Sequence, residues 1–300
     1  MDESFAPGSL IDKKCLKALT ARSNASGLLQ FASHVAALSG TGAAIALAKG
    51  TFWLGPALAV HGLVLVFLFA PLHETIHRTA FRNRRLNDAA AWLCGAVLVL
   101  PPAYFRAFHF AHHRHTQDPA RDPELATPKP ASLGAYLRAV SGLPYWRERI
   151  ATTLAHAAGR VPEPFIPPSQ KTRVVRDARI LLSLYGALAA VSILAGSWLA
   201  VGYWLVPVLI GQPFLRLFLL TEHTGCPQVP EMLENSRTTR SNALVRRLAW
   251  NMPYHAEHHA YPALPFHALP AAHTLLKDKI VVQAPSYLAA QRQIIAALRG

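Results

Sequence analysis

FWLGPALAVHGLVLVFLFAPL, Phe52 to Leu72, runs without a break into His73-Glu74-Thr75-Ile76-His77. No charged residue interrupts the apolar run, and His61 is its one imidazole. A helix rising about 1.5 Å per residue needs about 20 apolar residues to cross a hydrocarbon core of about 30 Å. The stretch therefore reads as a membrane span. Residues four apart share a helix face, so the end of that span aims the imidazoles of His73 and His77 at one point.

Working outward, residues 28–48 form a second apolar run rich in Ala and Gly. The join Ala48-Lys49-Gly50-Thr51 has room only for a tight hairpin. Residues 180–199 and 201–220 form another pair, joined near Gly202, with Arg216 close to the end of the last run. Residues 89–105 are a weaker run ending in Pro101-Pro102, expected to lie in the interface or to insert halfway. Between the pairs lie Pro-rich loops, Asp118 to Pro130 and Val161 to Pro168. Leu133–His156 mixes apolar and basic residues around Tyr145 and Trp146, as a surface helix on a membrane or in solvent would. The expected fold class is an all-α membrane protein with four transmembrane helices in two hairpins.

Composition agrees. The chain has 300 residues, of which 52% are hydrophobic and 15% charged, and the mean hydropathy is +0.21. The net charge of +14 does not read as a nucleic-acid footprint, because the basic residues alternate with apolar runs and no nucleic-acid motif is present. They flank spans instead. Lys13, Lys14, Lys17 and Arg22 precede the first run, and Arg78, Arg82, Arg84 and Arg85 follow the second. Lys171, Arg173, Arg176 and Arg179 precede the third, and Arg237, Arg240, Arg246 and Arg247 follow the fourth. The hairpin tips hold only Lys49. The positive-inside rule then puts both termini and the middle segment in the cytoplasm, and a fifth full span would break the pattern. The N-terminus carries Asp2, Glu3 and Asp12 ahead of its first apolar run and does not read as a secretory signal.

Eight histidines fall in three tight groups: His73 and His77; His109, His112 and His113; His255, His258 and His259. His223 follows the fourth run. All nine belong to the side that the basic residues define as cytoplasmic. Nine imidazoles are too many for one ion, which takes three or four protein ligands in a zinc site, and suit two. Cys15, Cys94 and Cys226 are scattered, with no C-x-x-C pair, which argues against an iron–sulfur or disulfide framework. No cysteine lies in the groups, which disfavours a copper thiolate. An imidazole-rich, carboxylate-poor pair of irons suits activation of dioxygen, and embedding in lipid points to a long hydrocarbon substrate.

Glu74, Glu222, Glu257, Asp118 and Asp122 lie near these histidines and are expected to accept hydrogen bonds from metal-bound imidazoles. His115 is a further candidate for that role, or a substitute ligand. Asn251-Met252-Pro253-Tyr254 reads as a helix start with Asn251 as cap, which would place the third group on the first helical turns. His34 and His61 lie inside spans. His156, His267 and His273 have no partner at ligand spacing and take no role.

These residues resemble the three histidine boxes of the integral-membrane fatty-acid desaturase and hydroxylase superfamily. The resemblance extends to Arg-His-Thr-Gln-Asp and Asp122-Pro123-Glu124 after the second box, to Thr221-Glu222-His223-Thr224, and to Arg237-Thr238-Thr239-Arg240-Ser241-Asn242. It covers roughly residues 50–275. It implies a cytoplasmic helical cap holding two iron ions (Fe2+) on the nine histidines. It also implies O2-dependent desaturation or hydroxylation of a lipid or fatty-acyl chain, with electrons from a separate donor. One departure stands out. Some acyl-CoA desaturases have an asparagine one turn before the histidine matching His223, and here that position is Leu219. The chain divides on this reading into a cytoplasmic segment 1–27, a membrane domain 28–275 and a cytoplasmic tail 276–300.

Fatty-acid desaturation is the leading reading, with hydroxylation or ketolation of an acyl chain, alkane or carotenoid as the alternative. His73-Glu74-Thr75-Ile76-His77 also matches the H-E-x-x-H pattern of zinc peptidases, but that leaves seven grouped histidines without a purpose. A metal carrier would need ligands through the membrane rather than on one face. No G-x-G-x-x-G dinucleotide motif is present, so a ferredoxin or a cytochrome b5-type protein is expected to deliver electrons.

Overall fold

The computed structural model describes residues 10–298. Asp2 and Glu3, cited against a signal sequence, lie outside the described residues. Four helical runs are long and apolar enough to cross a membrane: Asn24–Ala48, Leu54–His77, Pro168–Leu194 and Val201–His223. They follow a short helix α1 (Lys13–Leu19), capped by the Asp12 side chain. The first run is α2 (Asn24–Ala48), started by the Ser23 hydroxyl on the Ser26 amide. It pairs with α3 (Leu54–Val66) across the expected hairpin.

The second run is not one smooth helix. It resumes as α4 (Phe69–His77) after a break at Phe67-Leu68. Pro71 accounts for the break: its ring supplies no N–H and collides with the carbonyl four residues back. The helix therefore extends five residues past Leu72, and box one rides on its last turns.

α5 (Arg84–Leu98) and α6 (Pro102–His115) follow, bent by 96° at the turn between them. Val99 adopts a left-handed conformation at φ 56°, and Pro102 occupies the first turn of α6, so the chain stops and restarts there. The weak run 89–105 is thus a sharp corner, not a straight span. Leu133–His156 is likewise two helices, α7 (Leu133–Val140) and α8 (Leu143–Ala157). Gly142 joins them at φ +74°, where a Cβ would lie 2.5 Å from Gln212 Cγ, so glycine is required twice over.

The third span, α9 (Pro168–Leu194), starts earlier and ends earlier than residues 180–199. Gly196 at φ +60° ends it, and Ser197 to Ala200 turn back into the next run. That run opens with a π-helical turn, Val201–Leu205, and continues as α10 (Val206–His223), so His223 is its last helical residue. α3 and α10 cross almost backbone to backbone. A Cβ on Gly62 would lie 2.1 Å from the Pro207 carbonyl oxygen, and one on Gly211 would lie 2.2 Å from that of Gly62. Small residues at a crossing let helices approach closely in lipid. This contact fixes the two helices that carry box one and His223.

Phe52 (79% exposed), Trp53 (60%) and Trp198 (79%) crowd the two hairpin tips. Such amphipathic rings favour the membrane–water interface. Leu47, Val191, Ile193 and Leu194 also face outward, as lipid-facing side chains do.

The rest of the chain folds over the opposite ends of these helices. It comprises α11 (Met232–Asn235), β1 (Thr238–Thr239), α12 (Ala243–Leu248), α13 (His255–Ala260), α14 (Leu269–Leu276), β2 (Gln283–Ala284) and α15 (Tyr287–Ala297). β1 and β2 pair in parallel, Thr238 with Gln283. The segment after residue 275, read as a tail, is docked. Tyr287 stacks on Phe218 at 5.0 Å, and Gln291 accepts from the Tyr136 hydroxyl at 2.7 Å.

Candidate metal centre

Box one sits on α4, box two on α6, box three on α13, and His223 ends α10. All nine side chains are at most 9% exposed. Asn251 does not cap α13. It adopts φ 60° in the turn after α12, and its amide donates to the Phe266 carbonyl at 3.0 Å. The helix begins at His255, so the third box still occupies the first turns.

The nine imidazoles sort into two groups. His73, His77, His109, His113 and His258 bring one ring nitrogen each within 4.8 Å of one another. His112, His223 and His259 do the same. His255 joins the second group, its Nε2 lying 2.9 Å from that of His223. The groups meet where the rings of His113 and His259 stack at 4.2 Å.

Within the first group, His113 Nε2 lies 2.8 Å from His109 Nε2 and 3.1 Å from His258 Nε2. In the second, His112 Nε2 lies 3.2 Å from His223 Nε2. Nitrogens bound about 2.0–2.1 Å from one ion, at right angles, lie about 3 Å apart. Burial, reinforced by the neighbouring histidines, holds His109, His113, His255, His258 and His259 well below the usual imidazole pKa. They are neutral, as ligands must be. For His112, burial pulls the pKa down, but the carboxylates of Glu124 and Asp122 outweigh it and raise it.

The outward-facing nitrogens of three histidines in the second group meet an acceptor. His112 Nδ1 donates to Asp122 Oδ1 at 2.9 Å, and His223 Nδ1 to the Asn235 carbonyl at 3.2 Å. His255 Nδ1 faces Glu222 Oε1 at 3.4 Å. His259 Nδ1 lies 3.2 Å from the Thr116 hydroxyl, whose own proton goes to the His112 carbonyl at 2.8 Å. Protons on Nδ1 of His112 and His223 would leave their Nε2 lone pairs turned inward. Such a convergence suits a cation. In the first group, Nδ1 of His73, His113 and His258 and Nε2 of His77 have no hydrogen-bond partner among the described residues.

Several acidic expectations change. Glu74 accepts from the Thr79 hydroxyl at 2.7 Å and from the Phe266 amide at 3.3 Å, so it ties α4 to a distant loop instead of orienting a box histidine. Glu257 accepts from Thr238 at 2.5 Å and pairs with His273, a histidine that spacing alone left without a role. Asp118 pairs with Arg121 at 2.6 Å and staples its own loop. His115 is half-exposed and adjoins none of the box rings in a contact among the described residues, because a residue two past His113 points off the shared face. His156 is buried and bonds Glu163 at 2.9 Å.

Sequence reading passed over others. Gln117, at φ 64°, donates to the His223 carbonyl at 2.7 Å. Arg237 is buried and donates to the carbonyls of Thr221 and Thr224, holding the end of α10. The next two residues reach box three: Thr238 bonds Glu257, and the Thr239 amide donates to the Pro253 carbonyl at 3.0 Å. A cavity of about 290 Å³ opens beside the centre. Phe69, Phe105, Leu215 and Phe218 form apolar wall, His73, His109, His112 and His255 line the same space, and Glu124, Lys129, Arg149 and Arg216 add charge.

Buried, converging imidazoles at the ends of helices long and apolar enough to cross a membrane define a histidine-box membrane protein with a site suited to metal ions. The chain belongs to the fatty acid desaturase family, whose model matches residues 50–291. It is an acyl-chain oxidoreductase of the desaturase type. It is 26% identical to an sn-1 oleoyl-lipid 12-desaturase of Picosynechococcus sp., over 81% of this chain and 74% of that one. It is 27% identical to an sn-1 oleoyl-lipid 12-desaturase of Synechocystis sp., over 72% of this chain and 66% of that one. It is also 27% identical to a dihydrorhizobitoxine desaturase of Bradyrhizobium elkanii, over 79% of this chain and 70% of that one. The chain thus spans about two thirds to three quarters of the length of these relatives.

Proposed function

We propose that the chain is a di-iron, O2-dependent fatty acid desaturase whose nine box histidines hold two Fe2+ ions. The observation that supports this best is the division of nine converging imidazoles into groups of five and four beside an apolar cavity. Two irons so bound supply the oxidising power to remove hydrogen from an unactivated C–H bond. The balance is one –CH2–CH2– unit, O2, two electrons and two protons giving one –CH=CH– unit and two waters.

The protein's own part is positional. Phe69, Phe105 and Phe218 form an apolar wall for a lipid or fatty-acyl chain and exclude water from the reacting carbons. Asp122, Asn235 and Thr116 hydrogen-bond three imidazoles and would hold them in the ligating orientation, with Glu222 3.4 Å from the fourth. The basic clusters beside the spans support a cytoplasmic placement of the centre and of both termini. A ferredoxin or cytochrome b5-type donor would dock on that side. Residues 28–275 form the membrane domain, with the flanking segments on the cytoplasmic face.

Expression in a host of known lipid profile, followed by mass spectrometry, tests this. Desaturation removes two hydrogens from a lipid, whereas hydroxylation adds one oxygen. One zinc per purified chain with no iron would overturn the oxygenase reading. Full turnover with NADH and O2 alone would remove the separate donor.

A further inference from the structure

The second histidine group has a carboxylate against it that no motif assigned. Glu124 Oε2 lies 3.4 Å from His112 Nε2, the nitrogen that faces inward. Its other oxygen is held by Lys129 Nζ at 2.5 Å. Glu124 does not drift into this place. Asp122 Oδ1 accepts from the Glu124 amide at 2.9 Å and from His112 Nδ1 at 2.9 Å, so one oxygen aligns both residues. Asp122 Oδ2 accepts from the Gln117 amide at 2.9 Å, which anchors the short 3-10 turn Pro123–Ala126 to the end of α6.

His112 is therefore clamped between two carboxylates. Asp122 takes the Nδ1 proton, leaving the Nε2 lone pair facing Glu124 and His223. Lone pairs do not face a carboxylate without a positive charge between them. One proton on His112 Nε2 would answer Glu124. His223 Nε2 would still lie 2.9 Å from His255 Nε2 and 3.2 Å from His112 Nε2, three ring nitrogens crowded on one point. A metal ion answers all of them together.

We propose that Glu124 supplies a carboxylate oxygen to the metal held by His112, His223, His255 and His259, making that group five protein ligands like its neighbour. The inference rests on the two-metal reading above. Leu219 lines the same cavity with an apolar side chain and offers no ligand atom there.

The test uses the full chain in detergent, loaded with Fe2+ and exposed to a ferrous chelator, with retained iron counted by mass spectrometry. Wild type should hold both irons. Glu124→Ala and Glu124→Gln should release one of the two at least about tenfold faster, with the other unaffected. Glu124→Gln keeps the volume and a contact for Lys129, so it decides the matter if the alanine variant fails to fold. Glu148→Gln, whose carboxylate lines the same cavity away from the box histidines, should release iron like wild type. Release of both irons from Glu124→Gln at the wild-type rate would overturn the inference, as would equal loss from Glu148→Gln. A wild type without two irons would instead overturn the two-metal reading, and it shows before any variant is made.

Discussion

The two histidine groups share one wall but are held differently. In the group of four, three imidazoles hydrogen-bond a partner through the outer nitrogen, Asp122, Asn235 or Thr116, while His255 Nδ1 has none among the described residues and only faces Glu222 at 3.4 Å. In the group of five, His73, His77, His113 and His258 each have a ring nitrogen with no partner among the described residues. The first is oriented by hydrogen bonds from loops, the second by packing of α4, α6 and α13. A site set by hydrogen bonds should respond to single-atom changes around it. A site set by helix packing should respond to changes of shape.

Loss of a ligand is the largest perturbation and should not discriminate between the groups. His258→Ala and His259→Ala take one imidazole from each. Each should abolish turnover and lower iron content, because the proposed centre needs both ions. Substantial activity in either, measured with the product assay above, would show that its group is not the reaction centre.

The comparison sharpens at the orienting carboxylates. Asp122→Asn keeps the shape but can present an N–H to His112 Nδ1, so the imidazole loses its fixed tautomer. Iron affinity should fall about 10–100-fold for one of two ions. Glu74→Gln is the matching change beside box one. Glu74 touches Thr79 and Phe266 and no box ring, so both irons should stay. If Glu74→Gln costs as much iron as Asp122→Asn, the contrast between the groups is wrong.

How much of this was legible in the sequence follows from the physics involved. The grouping of the box histidines was, because i, i+3 and i+4 spacing is a local property of a helix. The four spans were, because lipid demands a length of apolar chain, though Pro71 and Gly196 moved their ends. The orienting partners were only partly so. Asp122 and Glu222 stand near boxes in the chain, but Asn235 and Thr116 meet their histidines across folds that no local pattern encodes. Glu124 was quoted as part of a motif and given no task, since its value depends on Asp122 turning the chain. Asp118 and Asp122 drew the same expectation, and only Asp122 meets a box histidine.

Helix packing gives the next prediction. Gly211→Ala puts a methyl group 2.2 Å from the Gly62 carbonyl oxygen, so α3 and α10 must separate. Overpacking of this kind costs about 1–3 kcal/mol. The loss should appear as a lower melting temperature in detergent. Iron should be lost from both groups together, since α3 leads into box one and α10 ends at His223. Loss confined to one ion would mean that the crossing does not position both.

The smallest effect should come from His115→Ala, although His115 lies only two residues past box two in the chain. Helical phase decides it. His109, His112 and His113 share a face at i, i+3 and i+4, and His115 lies two residues further on, about 200° around the axis. Its ring is half-exposed, and its carbonyl already accepts from the Asp118 amide at 2.8 Å, a bond that alanine keeps. Iron content, melting temperature and turnover should all match wild type. His156→Ala is the instructive contrast: it takes a buried imidazole from half-buried Glu163 at a cost of about 1–3 kcal/mol, yet should also leave the iron count unchanged. A fall in iron for His115→Ala would show that helix phase alone does not choose the ligands of box two. Both groups would then have to be drawn again with His115 inside one of them.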